Sequence, residues 1–165
     1  MNPSIECFFE ELMRIGEYFD PLGIVDDLKS STREGVLREL IAKLLERHQD
    51  LDAEETLRLL LERERLGSTG FGGGVALPHA KTPLVGKPIL VFGRSKTGIA
   101  YDALDGKPVY LFFLLISDPN SIDVYLTLLA RVSRLLMDRR FRDSLMNAED
   151  SVTIYASIEE QDRLP

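Results

Sequence analysis

Thiols are almost missing from this chain: Cys7 is the one cysteine among 165 residues. That excludes an internal disulfide framework and a multi-cysteine zinc site, and it fits a reducing compartment. Basic charge is in deficit. A net charge of −7 and a sequence pI of about 4.9 argue against a nucleic-acid backbone binder, which would carry the opposite sign. An acidic surface suits a basic partner face instead. Long apolar runs are missing too. The longest clean one, Val109 to Ile116, is far too short to span a bilayer. Glu6, Glu10 and Glu11 stand where a signal peptide would need a basic segment, so the expected location is the cytoplasm. No internal repeat or low-complexity tract stands out.

What is present is the makings of one globular domain. Hydrophobic residues reach 44%, enough for a core without covalent staples. Ile5, Phe8, Phe9, Leu12 and Met13 recur at helical spacing. They predict an N-terminal helix that packs on its own domain or supplies a partner or homodimer face. Asp20-Pro21-Leu22-Gly23 breaks that pattern. Ser31-Thr32-Arg33-Glu34 reads as a capping box before a helix with Val36, Leu37, Leu40, Ile41, Leu44 and Leu45 on one face. Asp52 with Glu55 starts a second helix, and Gly67 stops it.

The run from Ser68 to Gly74 holds so much glycine that a loop is predicted. Val75-Ala76-Leu77 is a short extended piece ended by Pro78. Ile89 to Phe92 and Val109 to Ile116 read as buried strands. Leu126, Leu129, Val132, Leu135 and Leu136 predict a third helix, and Phe141, Leu145 and Met146 a fourth. Ser151 to Ile158 fits strand or helix. Helices before, between and after strands predict an α/β fold, a mixed sheet covered on both faces.

Only two histidines could carry chemistry. His48 lies near the end of the first capped helix, where an imidazole meets the negative end of the helix dipole; its expected role is structural. His79 follows a proline and a Ser/Thr/Gly loop. An imidazole is nucleophilic near neutrality and can attack phosphorus and leave again. Arg63 and Arg65, about one turn before Gly67, could each aim a fork of donors at phosphoryl oxygens or lie on a solvated helix face. Amides and hydroxyls of Ser68, Thr69, Gly70 and Gly72 are expected to bind the same anion. Phosphoryl transfer needs that kind of positioning and charge neutralisation. Phe71 reads either as core packing or as an apolar contact for a partner.

Rival motifs fail. Gly70-x-Gly72 lacks a third glycine at the right spacing and follows a helix, not a strand. There is no Gly-Lys-Ser/Thr for a P-loop and no nucleophile elbow. Asp102 and Asp105 are explained by a turn. Neither a metal site nor a cofactor is expected.

The run Arg63-Glu64-Arg65-Leu66-Gly67-Ser68-Thr69-Gly70-Phe71-Gly72 and on through Val75-Ala76-Leu77-Pro78-His79 resembles the signature of the fructose/mannitol-type enzyme IIA domains. These belong to the bacterial phosphoenolpyruvate-dependent phosphotransferase system. Gly98 to Val109 is similar to the family's segment before its hydrophobic strand. The resemblance covers about residues 22 to 155, which divides the chain into an N-terminal extension, 1–21, and a phosphocarrier domain, 22–165. It implies a three-layer α/β/α fold with a mixed sheet. It implies phosphorylation of His79 by a small histidine phosphocarrier protein, with Arg63 steadying the phosphoryl group. The acceptor would be a cysteine on an enzyme IIB domain, or the phosphorylation state would act on regulatory target proteins. The family usually carries a second active-site histidine where Tyr125 stands here; a tyrosine can make one hydrogen bond but stays neutral near pH 7. A free-standing chain with Lys81 after His79-Ala80 is similar to the nitrogen-regulatory branch. The alternative is a non-catalytic regulatory binding module that has lost onward transfer.

Overall fold

The computed structural model describes residues 13–164; the helix expected over residues 4 to 15 falls almost wholly outside them. One mixed sheet of six strands carries the fold. The strands are β1 (Phe19–Val25), β2 (Gly70–Gly72), β3 (Val75–Ala76), β4 (His79–Lys81), β5 (Ile89–Ile99) and β6 (Val109–Ser117). The helices are α1 (Arg33–Leu45), α2 (Ala53–Arg65), α3 (Ile122–Met137), α4 (Arg139–Asn147) and α5 (Ser151–Arg163). Strand order is β1-β5-β6-β3-β2, and β4 pairs with β6 beyond β3.

Two apolar layers close the sheet, as its alternation requires. On one face α1 and α2 contribute Val36, Leu40, Leu44, Leu57 and Leu60, which pack with Ala76, Val91 and Phe112. On the other, α3, α4 and α5 contribute Leu128, Val132, Phe141, Leu145 and Ile154 against Leu90, Phe92 and Phe113. The expected three layers are therefore present.

Caps start the helices. The Thr32 hydroxyl accepts from the Gly35 amide at 3.1 Å, so the first cap sits one residue later than the box read from Ser31. Asp52 accepts from the Glu55 amide at 2.7 Å. Asp150 accepts from the Thr153 amide at 2.8 Å, which resolves the ambiguous segment after it as helix.

Four sequence expectations need correction. The glycine-rich run is not wholly loop: β2 and β3 form a hairpin turning at Gly73 and Gly74, both at positive φ, where glycine is unstrained. Asp20-Pro21-Leu22-Gly23, read as a break in the helical pattern, lies within edge strand β1, which runs parallel to β5 with a bulge between Phe19 and Ile24. An edge strand tolerates Pro21 because one row of its amides needs no partner. The boundary expected after residue 21 therefore falls inside a strand. Ile15 and Phe19 are core residues, so the described part of the extension belongs to the domain. Asp162 ties it down: its carboxylate accepts from the Ile15 amide at 2.7 Å and from Arg131 Nε at 2.6 Å, and its carbonyl accepts from Arg14. Strand β5 also runs to Ile99, well past Phe92. Gly93 permits this, since a Cβ there would lie 2.6 Å from Leu40 Cδ2.

Candidate active site

Strands β3 and β4 are one line of chain interrupted at Leu77-Pro78, both parallel to β6. The interruption matters because Pro78 has no N–H to donate; its carbonyl still accepts from the Leu115 amide at 3.0 Å. His79 is the first residue after it, in register with Leu115. The ring sits half-buried at the carboxyl end of β6, between the last turn of α2 on one face and the first turn of α3 on the other.

Both ring nitrogens are engaged, and the partners fix the tautomer. Nδ1 lies 2.7 Å from the Leu77 carbonyl oxygen, which can only accept, so Nδ1 carries the proton. Nε2 lies 3.0 Å from Arg63 Nε, which can only donate, so Nε2 presents its lone pair. Arg63 Nη1 donates to the Gly67 carbonyl at 2.9 Å, which aims the guanidinium at the ring. The histidine pKa lies below its ordinary 6.5. Burial is the main cause, opposed by the hydrogen bond to Leu77 and reinforced by the Arg63 charge.

A titration follows. The His79 ring protons should report a midpoint below 6.5 when followed by NMR against pH; a midpoint above 6.5 would contradict this environment. The sign for stability is set by the same shift. The fold favours the neutral ring, so the unfolded chain binds the proton more tightly. The contribution is whole above about pH 6.5 and declines as pH falls toward the folded midpoint.

Tyr125, in the first turn of α3, meets His79 edge to face with centroids 5.8 Å apart. Lys81 Nζ lies 4.6 Å from the Tyr125 ring centroid, a cation–π contact. Burial raises the phenol pKa, so Tyr125 is neutral. Arg63, Lys81 and Tyr125 thus surround the imidazole with two cations and one neutral ring.

The four residues expected to bind phosphoryl oxygens are placed differently from one another. Ser68 is half-buried and its hydroxyl accepts from the Gly70 amide at 3.1 Å. Thr69 is buried; its amide donates to Glu64 Oε2 at 3.1 Å and its hydroxyl to Glu64 Oε1. Gly70 packs under Ala103, where a Cβ would approach within 2.9 Å. Gly72, at φ +106°, backs on Asp105, whose carboxylate takes the Gly73 amide at 3.1 Å. Amides of Thr69, Gly70 and Gly73 are therefore spent holding the hairpin, contrary to the expected nest of free donors. Arg65 is exposed, whereas Arg63 is the arginine that faces the ring. Phe71 is partly exposed, 37%. His48 lies in the turn after α1, where its carbonyl accepts from the Leu51 amide.

Sequence reading assigned no role to Glu64 or Tyr101. The buried Glu64 carboxylate accepts from Thr69 and from the Tyr101 hydroxyl at 2.9 Å. The signal for Glu64 was its place in the Arg-Glu step; Tyr101, 37 residues away, stands in the segment from Gly98 to Val109 that resembles the family, but nothing local pairs it with Glu64. Among the described residues no group of three or more His, Cys, Asp or Glu could hold a metal ion. No helix of the described residues is long and apolar enough to cross a membrane.

Comparison with known proteins agrees with this architecture. Residues 17–161 match the family model described as phosphoenolpyruvate-dependent sugar phosphotransferase system, EIIA 2. The chain is 35% identical over 151 residues to the fructose-specific EIIABC component of Bacillus subtilis, covering 92% of this chain and 24% of that relative. The chain thus spans about a quarter of that relative's length. A nitrogen regulatory protein of Bradyrhizobium diazoefficiens is 35% identical over 144 residues, covering 87% of this chain and 94% of the relative. The crystal structure of the nitrogen regulatory protein IIA-Ntr of Neisseria meningitidis superposes with a TM-score of 0.82 at 32% identity, over 87% of this chain and 98% of the other. A sheet that delivers His79 to Arg63 thus lies within a sequence match spanning nearly all the described residues, and the chain belongs to the EIIA type 2 family of the phosphoenolpyruvate-dependent phosphotransferase system.

Proposed function

We propose that the protein is a cytoplasmic histidine phosphocarrier that takes a phosphoryl group onto His79 Nε2, and that its phosphorylation state serves regulation. The observation that carries this reading is the ring itself: neutral, with Nδ1 tied to Leu77 and the Nε2 lone pair capped by the Arg63 guanidinium. The donor is a phosphohistidine on a small histidine phosphocarrier protein. His79 Nε2 attacks phosphorus, the donor N–P bond breaks, and its electron pair returns to the donor ring. Nδ1 keeps its proton, so the phosphorylated ring is cationic and remains a good leaving group. Arg63 moves from Nε2 onto the phosphoryl oxygens, where a planar fork suits two of them. Phe71 and Leu66 offer exposed apolar contacts to a docking partner.

The regulatory role is favoured over sugar uptake because the nitrogen regulatory protein IIA-Ntr superposes on this chain at a TM-score of 0.82 with 32% identity. In sugar uptake, the phosphoryl group would pass on to a cysteine of an enzyme IIB domain. The test is incubation with a phosphorylated donor, followed by NMR of the product. Acid-labile phosphate on His79 Nε2 is expected. Phosphate on Nδ1, on another residue, or nowhere would sink the proposal.

Tyr125 is read as compatible with acceptance. One neutral hydrogen bond contributes about 1 kcal/mol, so Tyr125→His should change the labelling rate by about tenfold at most. Labelling seen only in Tyr125→His would identify a binding module that has lost transfer.

A further inference from the structure

Beside the imidazole–guanidinium pair lies a buried carboxylate that the proposed reaction does not touch. Glu64 sits in the last turn of α2, next in sequence to Arg63. Its Oε2 takes the Thr69 amide at 3.1 Å, and its Oε1 takes the hydroxyls of Thr69 and, at 2.9 Å, Tyr101. Tyr101 is itself fully buried and edge-on to Phe112 of β6, centroids 5.4 Å apart. The Arg33 guanidinium lies 5.1 Å from its ring centroid and donates to its carbonyl at 2.5 Å. The carboxylate therefore bolts the end of α2 to the start of the hairpin and to the sheet. A buried charge held by three donors is costly unless its geometry is kept.

We propose that Glu64 is a positioning residue for phosphoryl acceptance: through Thr69 and Tyr101 it fixes the turn that carries Arg63, and its negative charge supports the cationic ring formed at His79. The proposal rests on the phosphocarrier reading above. The carboxylate never meets the phosphoryl group. It acts on where the Arg63 fork stands and on how readily the imidazole bears charge. The charged and titratable groups around the ring are Arg63 and Glu64 of α2, Lys81 of β4 and Tyr125 of α3. Of these, Glu64 alone favours the charged ring.

The test compares wild type with Glu64→Gln and Tyr101→Phe by three readouts: the His79 NMR titration, the labelling rate at saturating phosphorylated donor, and the donor KM. Glu64→Gln should move the His79 midpoint downward and slow labelling by up to about 10²-fold, the scale of a group misplaced by about 1 Å, with KM unchanged. Tyr101→Phe keeps the charge and removes one hydrogen bond. It should leave the midpoint in place and slow labelling by about two- to fivefold. An unmoved midpoint in Glu64→Gln overturns the proposal, even if labelling falls with thermal stability. Should Glu64→Gln not fold, Tyr101→Phe decides: a wild-type rate overturns the proposal, and a slower rate at constant KM supports it. Wild-type protein that takes no label refutes the phosphocarrier reading instead.

Discussion

Replacing His79 by alanine is expected to abolish uptake of acid-labile phosphate, and replacing Arg63 by alanine to slow it by about 10²–10³-fold, the effect of losing one preorganised oxyanion donor. The first effect is total because His48, the second histidine, lies in a turn beyond α1 and outside the Arg63–His79 site. The second reflects two duties of one guanidinium. Its Nε caps the nucleophile at 3.0 Å while its Nη1 is tethered to Gly67 at 2.9 Å. An ammonium cannot hold both geometries, because it lacks the planar fork. Arg63→Lys should therefore recover only part of the lost rate. Initial rates of labelling from a phosphorylated donor measure all three variants. Wild-type rates in Arg63→Ala would remove this arginine from the reaction.

Arg94→Ala is expected to cost about 3 kcal/mol of folding stability, since several buried acceptors lose their donor at once. For a chain of this size that is a fall in melting temperature of roughly 6–12 °C. Arg94 stands on β5, 1% exposed. Its Nε donates to the Asp26 carbonyl at 2.9 Å. Its Nη1 donates to the carbonyls of Leu145 and Ala148 at 2.8 and 2.7 Å. These oxygens lie at the end of α4, where helical carbonyls have no partner of their own. A cation also meets the negative end of the α4 dipole there. Nη2 is buried without a partner, so a carboxylate is not what holds this charge. Thermal and urea unfolding would measure the loss, and a cost below about 1 kcal/mol would show that water replaces the side chain.

These residues also show where sequence reading stops. Helices α1 and α2 were legible because caps and 3.6-residue spacing are local signals; even so, the first cap was Thr32, not Ser31. Strand β6 was legible as a continuous apolar run. Strand β1 was not, since Pro21 and Gly23 are turn residues unless the strand lies at an edge. Strand β5 continued past Gly93 and Arg94. Gly93 leaves room for Leu40, and the end of α4, some fifty residues away in sequence, accepts the Arg94 charge. Local composition encodes neither fact. At the candidate site, Arg63 and His79 were singled out by motif, and the structure places them in contact. The amides around Thr69 and Gly70 were read as free donors. Composition shows that glycine is abundant but not where each N–H points, and these point inward.

The clasp at Asp162 fixes where the described chain starts and stops on the sheet. Because it holds residues 14 and 15 against the last turn of α5, the two ends of the described chain meet at a single corner. That corner adjoins β1, three strand spacings from β4, roughly 14 Å at about 4.8 Å each. The edge of the sheet that anchors both ends of the described chain is therefore separate from the strand that carries His79.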